Sequence, residues 1–365
     1  MKLKIALAVV LLVIAGFASW LTWALYVPYA NFSADGIVVE IPMGTSRRGI
    51  ARLLKKDGVL RSALAFELLA RWRSDVQLQA GEYRFDAPAS ARAVFRKIAE
   101  GRVFVHSLVI PEGLNMFDIA SKFEQAGFGS RDDFLRVARD ASPIRDIAPA
   151  AASLEGFLFP ATYGFPRDVT AEEVASAMVA RFRVVWNALP QEGRNPHGLQ
   201  PLELLTLASL VERETGVAGE RPLIAGVFYN RLAKRIALQC DPTVIYAMEL
   251  AGKNDGIIHM SDLRMKSPYN TYLNRGLPPG PIANPGEEAL RAALFPPQTD
   301  YFYFVSDTQG GHFFSRTHKE HNENVAKYRR LAGLPPKPPA ANGNAAKNGP
   351  AKKRAPTKPP KRRRP

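Results

Sequence analysis

Two carboxylates one residue apart close an apolar run, Leu204-Leu205-Thr206-Leu207-Ala208-Ser209-Leu210-Val211-Glu212-Arg213-Glu214-Thr215-Gly216. The apolar spacing predicts a helix that Gly216 stops. A carboxyl in the last helical turn meets the partial negative charge of the unpaired carbonyls, and part burial adds to the cost of ionising it. A glutamate so placed can stay protonated near neutral pH and donate a proton, which is the task of a general acid. At about 100° per residue, Glu214 falls on the side of Leu207, Leu210 and Val211, whereas Glu212 falls among Leu205, Ala208 and the flank. The angular margin is modest, and residue types alone also allow both acids simply to face water.

Downstream lie segments suited to a sugar polymer. Leu238-Gln239-Cys240-Asp241-Pro242-Thr243 opens a helix, with Asp241-Pro242-Thr243 as its start. Ser267-Pro268-Tyr269-Asn270-Thr271-Tyr272 and Gly276-Leu277-Pro278-Pro279-Gly280-Pro281-Ile282-Ala283-Asn284-Pro285 form rigid loops rich in flat and polar side chains. Tyrosine rings match the CH faces of sugars, and amides match their hydroxyls. Gln239, Asp241, Thr243, Tyr269, Asn270, Tyr272 and Asn284 are therefore the candidate substrate-binding residues, although each taken singly also suits a structural role. Glu155, before Gly156, reads as a turn residue or a supporting acid, with the turn favoured. Cys240 is the only cysteine, so no intrachain disulfide or cysteine-based zinc site is available. His312, His318 and His321 lack the spacing and acidic company of a metal site, and no metal or cofactor is expected.

Elements to position these residues are legible along the chain. From Asp35 to Glu112 the order reads strand 37–41, helix 50–56, helix 63–73, strand 80–85, helix 91–100 and strand 103–110. A further apolar helix then ends at Gly127, and 129–165 reads as loop-rich. Ile41-Pro42-x-Gly44 and Ile110-Pro111-x-Gly113 are a weak internal echo. Helices follow at 171–189 and 224–234, then strands at 301–305 and 312–314 and a helix at 315–331. The fold class is α+β.

The ends of the chain set its compartment. Lys2 and Lys4 precede an uncharged run from Ile5 to Val27, long enough for the roughly 20 residues that span a bilayer. With acids next downstream, the short end is expected in the cytoplasm and the rest outside, on an uncleaved anchor. The net charge of +15 suggests nucleic acid, but ten of its cations fall in 336–365, a proline-rich arm without acids, which leaves +5 for the remainder. No nucleic-acid partner is expected.

Taken in order, Ala208-Ser209-Leu210-Val211-Glu212-Arg213-Glu214-Thr215, Leu238-Gln239-x-Asp241-Pro242-Thr243-Val244-Ile245-Tyr246, Tyr269-Asn270-Thr271-Tyr272, Gly276-Leu277-Pro278-Pro279-Gly280-Pro281-Ile282 and Gly310-Gly311-His312 closely resemble the YceG-like endolytic murein transglycosylases. The resemblance covers roughly Ile37 to Leu331 and the anchor. It implies an inner-membrane, single-pass enzyme whose periplasmic part cleaves the MurNAc-β-1,4-GlcNAc bond of nascent peptidoglycan strands. The product implied is a 1,6-anhydroMurNAc end, and the setting is the termination of glycan elongation, with synthases of the elongation machinery as partners. The second acid of the family's Glu-x-Glu-Thr motif falls on Glu214, which the resemblance marks as catalytic. Ala161 stands where many relatives carry an acid, so an acid there is not required. The small strand-helix units separately resemble LysM modules, which bind peptidoglycan. The expected division is a cytoplasmic end 1–4, a transmembrane helix 5–27, a LysM-like α+β module 28–128, a mixed α+β catalytic domain 129–333 and a disordered basic tail 334–365. Two rival readings remain: a hydrolytic muramidase with Asp241 or Glu220 as second carboxylate, and a non-catalytic wall-binding scaffold.

Overall fold

The computed structural model describes residues 2–190, 195, 197–254 and 256–335, and the basic tail from 336 on lies outside the described residues. The first element, α1 (Lys2–Tyr26), is 25 residues long and uncharged from Ile5 on, long enough by length and composition to cross a membrane. The chain divides into two compact units, 1–302 and 303–365.

After α1 the chain builds β1 (Ile37–Ile41), α2 (Arg47–Lys56), α3 (Ala63–Trp72), β2 (Gly81–Phe85) and α4 (Ala91–Ala99). The alternation in β1 buries Val39 and Ile41, and the antiparallel register sets Val39 opposite Tyr83. Each helix starts on a serine whose hydroxyl accepts a backbone N–H three residues on: Ser46 from Gly49, Ser62 from Ala65 and Ser90 from Ala93. Leu54, Phe66, Tyr83, Val94 and Ile98 fill the core of this unit, and Leu25 of α1 packs against it.

The same order then recurs: β3 (His106–Ile110), α5 (Met116–Gln125), α6 (Arg131–Ala138), β4 (Ala161–Phe165) and α7 (Ala171–Ala188). β3 pairs antiparallel with β4, Ile110 opposite Ala161 and His106 opposite Phe165. A boundary at 128/129 would cut this sheet, so the expected extent of the small module is corrected: its own core ends with α4. The echo of Ile-Pro-x-Gly is the mark of this repeated strand-helix-helix-strand plan. Gly44 and Gly113 both adopt the left-handed backbone, φ +75 and +78, that carries each strand into its first helix. The segment 129–165 is less loop-like than its sequence suggests. β4 carries Gly164 and buries no residue fully, and α6 is two turns long, so neither has a strong periodic signal.

The chemistry-bearing helices follow: α8 (Pro201–Glu214), α9 (Arg221–Ala233), α10 (Asp241–Leu250) and α11 (Glu287–Leu294). α9, α10 and α11 all contact α8. Every residue from Leu204 to Val211 is buried, so α8 is a central helix with no free apolar stripe. In the second unit β5 (Tyr303–Ser306) pairs antiparallel with β6 (His312–Ser315), and α12 (His318–Leu331) contacts both strands.

Candidate active site

The two acids at the end of α8 have different surroundings. The Glu212 side chain is only 5% exposed, and its Oε1 accepts a hydrogen bond from Arg221 Nη2 at 3.0 Å. Its Oε2 accepts the Gly286 backbone N–H, also at 3.0 Å. Arg221 lies 3.7 Å from Glu112 as well, so one guanidinium joins α9 to the end of α8 and to the turn after β3. Burial and the Glu212 charge push the Glu112 carboxyl upward, with Arg221 opposing. Two further bonds fix the turn: Arg213 Nη1 donates to the Gly113 carbonyl at 3.0 Å, and the Gly113 N–H donates to the Asn284 carbonyl at 2.9 Å. A Cβ on Gly286 would lie 2.0 Å from Glu112 Oε1, which is why glycine fits this crossing. The helical-wheel expectation that left Glu212 on the flank is corrected. Because α8 is enclosed on all sides, the position facing α9 and α11 is buried too, and Glu212 is a buried, paired acid that ties three segments together.

Glu214, half-buried as the last residue of α8, belongs to a different neighbourhood. Its carboxyl acts on the thiol of Cys240, the residue that caps α10. Burial first, then the Glu214 charge, pushes the thiol well above its ordinary range, so Cys240 is an S–H donor and not a thiolate nucleophile. Tyr272 feels the charges of both Glu214 and Cys240, and its hydroxyl donates to Asp241 Oδ1 at 2.5 Å. Burial and Asp241 push that phenol upward, which keeps it a neutral donor. The loop that carries Tyr272 is locked to the start of α10. Cys240 N–H donates to Thr271 Oγ1 at 3.0 Å, the Thr243 hydroxyl donates to the Cys240 carbonyl at 2.7 Å, and the two threonine hydroxyls lie 2.9 Å apart. Gln239 precedes this cap in the left-handed region, φ +51, and its N–H donates to the Thr271 carbonyl at 3.3 Å.

The structure thus gathers Glu214, Cys240, Asp241 and Tyr272, with Gln239 next in the chain. It does not bring the other expected binding residues to the same surface. Thr243, Asn270 and Asn284 are fully buried, and their polar atoms are engaged inside the protein. Asn270 donates to the carbonyls of Leu263 and Met265 and accepts the Tyr272 N–H. Asn284 accepts the Leu158 N–H and donates to the Leu114 carbonyl and to Glu155. In this structure their side-chain polar atoms hold the surrounding loops together. Tyr269 is half-buried against Tyr246, ring centroids 5.0 Å apart, and its hydroxyl is pushed upward by burial and the Glu155 charge.

Glu155 is the residue the sequence undervalued. It is no turn acid but a buried hub, 2% exposed. The Met116 N–H reaches Oε1 at 3.1 Å and Oε2 at 3.0 Å, Asn284 Nδ2 donates to Oε1 at 2.9 Å, and Tyr246 Oη lies 3.0 Å from Oε2. Burial pushes the carboxyl up to about 8, against hydrogen bonds that favour the anion. Met116, Asn284 and the Tyr246 hydroxyl all donate to this one carboxyl. The signal was present: Glu155 is the lone charge in the apolar run Leu154-Glu155-Gly156-Phe157-Leu158-Phe159. His312 lies in β6 of the second unit, its ring edge-on to Phe304 at 5.3 Å. Among the described residues, no group of three or more His, Cys, Asp or Glu is arranged to hold a metal ion.

The profile of the YceG-like family matches residues 39–327. The chain belongs to this family. A relative from Bacillus subtilis (strain 168), named endolytic murein transglycosylase, is 35% identical over 317 residues, which is 82% of this chain and 87% of that protein. One of the same name from Streptococcus pneumoniae (strain ATCC BAA-255 / R6) is 30% identical over 326 residues, 80% of this chain but 58% of that longer protein. The crystal structure of a YceG-like protein from Listeria monocytogenes is similar with a TM-score of 0.54 and 36% identity, covering 80% of this chain and 99% of the other. The family match begins inside β1 and ends inside α12, so both repeated units and the cluster around Glu214 fall within it.

Proposed function

We propose that the chain is an endolytic murein transglycosylase with Glu214 as its single acid and base. The observation that carries this reading is the division of labour at the end of α8. Glu212 is consumed by Arg221 and Gly286, while Glu214 sits with a neutral thiol and beside the Tyr272–Asp241 pair. Protonated Glu214 donates to the glycosidic oxygen as the bond from MurNAc C1 to GlcNAc O4 breaks through an oxocarbenium-like state. The resulting carboxylate takes the proton of the MurNAc 6-hydroxyl, and O6 closes on C1 to give the 1,6-anhydro ring. The sugar supplies the nucleophile, so one carboxylate suffices and water takes no part. Gln239, Asp241, Tyr269 and Tyr272 are the sugar contacts of this reading, with Thr243, Asn270 and Asn284 holding their loops.

Two further parts of the reading concern placement. α1 anchors the chain in the inner membrane, with Lys2 and Lys4 cytoplasmic and the catalytic part periplasmic, near peptidoglycan synthases. The first strand-helix-helix-strand unit is a LysM-like module, a view supported by its element order and antiparallel pairing, and it binds glycan ahead of the cut.

Asp241 supports one rival, a hydrolase with two carboxylates, because it reaches the same cluster through Tyr272. Mass analysis of muropeptides released from nascent strands separates the two. Anhydro ends, lighter by one water, are expected from the wild type, and none from Glu214→Gln. Reducing ends would establish the hydrolase, uncut strands bound by the wild type would establish a scaffold, and full cleavage by the variant would remove Glu214 from its role.

A further inference from the structure

At 1.5 Å per residue α1 is about 37 Å long, more than the roughly 30 Å of a bilayer's hydrocarbon core, so its last turns stand at headgroup level. There α1 meets the first unit. Tyr26 Oη accepts a hydrogen bond from Arg92 Nη1 at 2.7 Å, and the Arg61 guanidinium lies 4.0 Å from the centroid of the Trp23 ring. Between α1, α3 and α4 opens a pocket of about 500 Å³. Leu21, Leu25, Trp72 and Phe95 supply apolar wall, and Arg92 and Arg96, one helical turn apart on α4, supply charge. The nearby acids are offset: Glu100 pairs with Arg102 at 2.9 Å and Asp75 with Arg73 at 3.4 Å. Among the described residues the Arg96 guanidinium makes no hydrogen bond or ion pair. Trp72 is 81% exposed beside the opening, a placement that costs apolar hydration in water but suits the membrane interface.

We propose that this pocket binds an anionic phospholipid, one acyl chain along the Leu21, Leu25 and Phe95 wall and the phosphate at Arg92 and Arg96. The inference rests on the reading that α1 spans a membrane. The apolar walls exclude a free phosphate as the whole ligand, and the paired guanidiniums select against a zwitterionic headgroup. Bound there, the lipid joins the anchor to the first unit and holds that unit at a fixed height above the membrane.

The test uses the full-length chain in detergent, examined by native mass spectrometry after titration with phosphatidylglycerol or with phosphatidylcholine of matched acyl chains. The wild type is expected to retain phosphatidylglycerol at about tenfold lower lipid concentration than phosphatidylcholine. Arg92→Gln with Arg96→Gln is expected to erase the preference, and Arg92→Lys with Arg96→Lys to keep it, with unfolding temperatures unchanged because both side chains are exposed. Equal retention of the two lipids by the wild type, or an undiminished preference in the glutamine variant, overturns the proposal. Displacement of phosphatidylglycerol by an equal amount of a polyprenyl phosphate overturns it too, assigning the pocket to another lipid. Alkaline extraction of cell membranes separates the two readings: release of the full chain refutes the anchor itself, whereas a retained chain without lipid preference refutes only the pocket.

Discussion

Replacing Glu155 with glutamine removes a buried carboxyl that burial moves from 4.5 to about 8. Such a group holds more protons in the folded than in the unfolded chain through that window. Its contribution to stability is therefore fully present below about 4.5 and is lost progressively as pH rises toward 8. The shift corresponds to about 5 kcal/mol across the whole window, an order-of-magnitude figure. At about 2–4 °C per kcal/mol for a large domain, the melting temperature responds by roughly 10–20 °C. Glu155→Gln keeps an oxygen for Met116 and Asn284 and an amide N–H for Tyr246, but it cannot titrate. Thermal unfolding of the detergent-solubilised chain, followed by tryptophan fluorescence between about pH 5 and about pH 8, measures the difference. The wild-type midpoint is expected to fall with rising pH by several degrees more than that of the variant. Parallel curves with a constant offset would refute the reasoning, because the hub would then hold the same charge folded and unfolded.

Other perturbations probe the same architecture. Cys240→Ala replaces the thiol beside Glu214 with a methyl group, so the alkaline limb of the pH–rate profile for glycan cleavage, where the general acid loses its proton, is expected to move to higher pH, whereas Cys240→Ser leaves it near the wild-type position. Arg221→Met leaves Glu212 buried without its partner and is expected to destabilise by about 3–5 kcal/mol in a denaturant titration. Glu212→Gln, measured on the folded fraction, is expected to retain cleavage, and its complete loss there would make Glu212 the catalytic acid. Gly156→Ala places a Cβ 2.6 Å from Pro281 and 2.9 Å from Leu205 at φ +89, and about 2–4 kcal/mol of stability is expected to be lost in the same titration.

The sequence made the helix of α8, the strand order of the first unit and the apolar anchor legible, because each carries a periodic pattern or a capping residue. From the helical wheel alone it separated Glu212 from Glu214 by only a modest margin. A helical wheel assumes one wet side, and α8 has none, so the distinction depends on Arg221 and Gly286, which come from α9 and the start of α11. Thr243, Asn270 and Asn284 read as sugar contacts because their residue types suit sugars, but the same donors and acceptors serve a proline-rich loop that must satisfy its own backbone. The pairing of β3 with β4 was invisible for a related reason. The strands lie far apart in the chain, and β4, none of whose residues is fully buried, does not advertise its partner.

The repeated turn after β1 and after β3 has been put to two uses. Around Gly44 nothing would touch an added Cβ, and the preceding Met43 is 88% exposed; around Gly113 the backbone is held by Arg213 and Asn284. The same corner is thus an open edge after β1 and a keystone after β3. Sequence drift can accumulate at the former without reaching the chemistry, while at the latter any displacement is transmitted within one side chain to the helix that bears the acid.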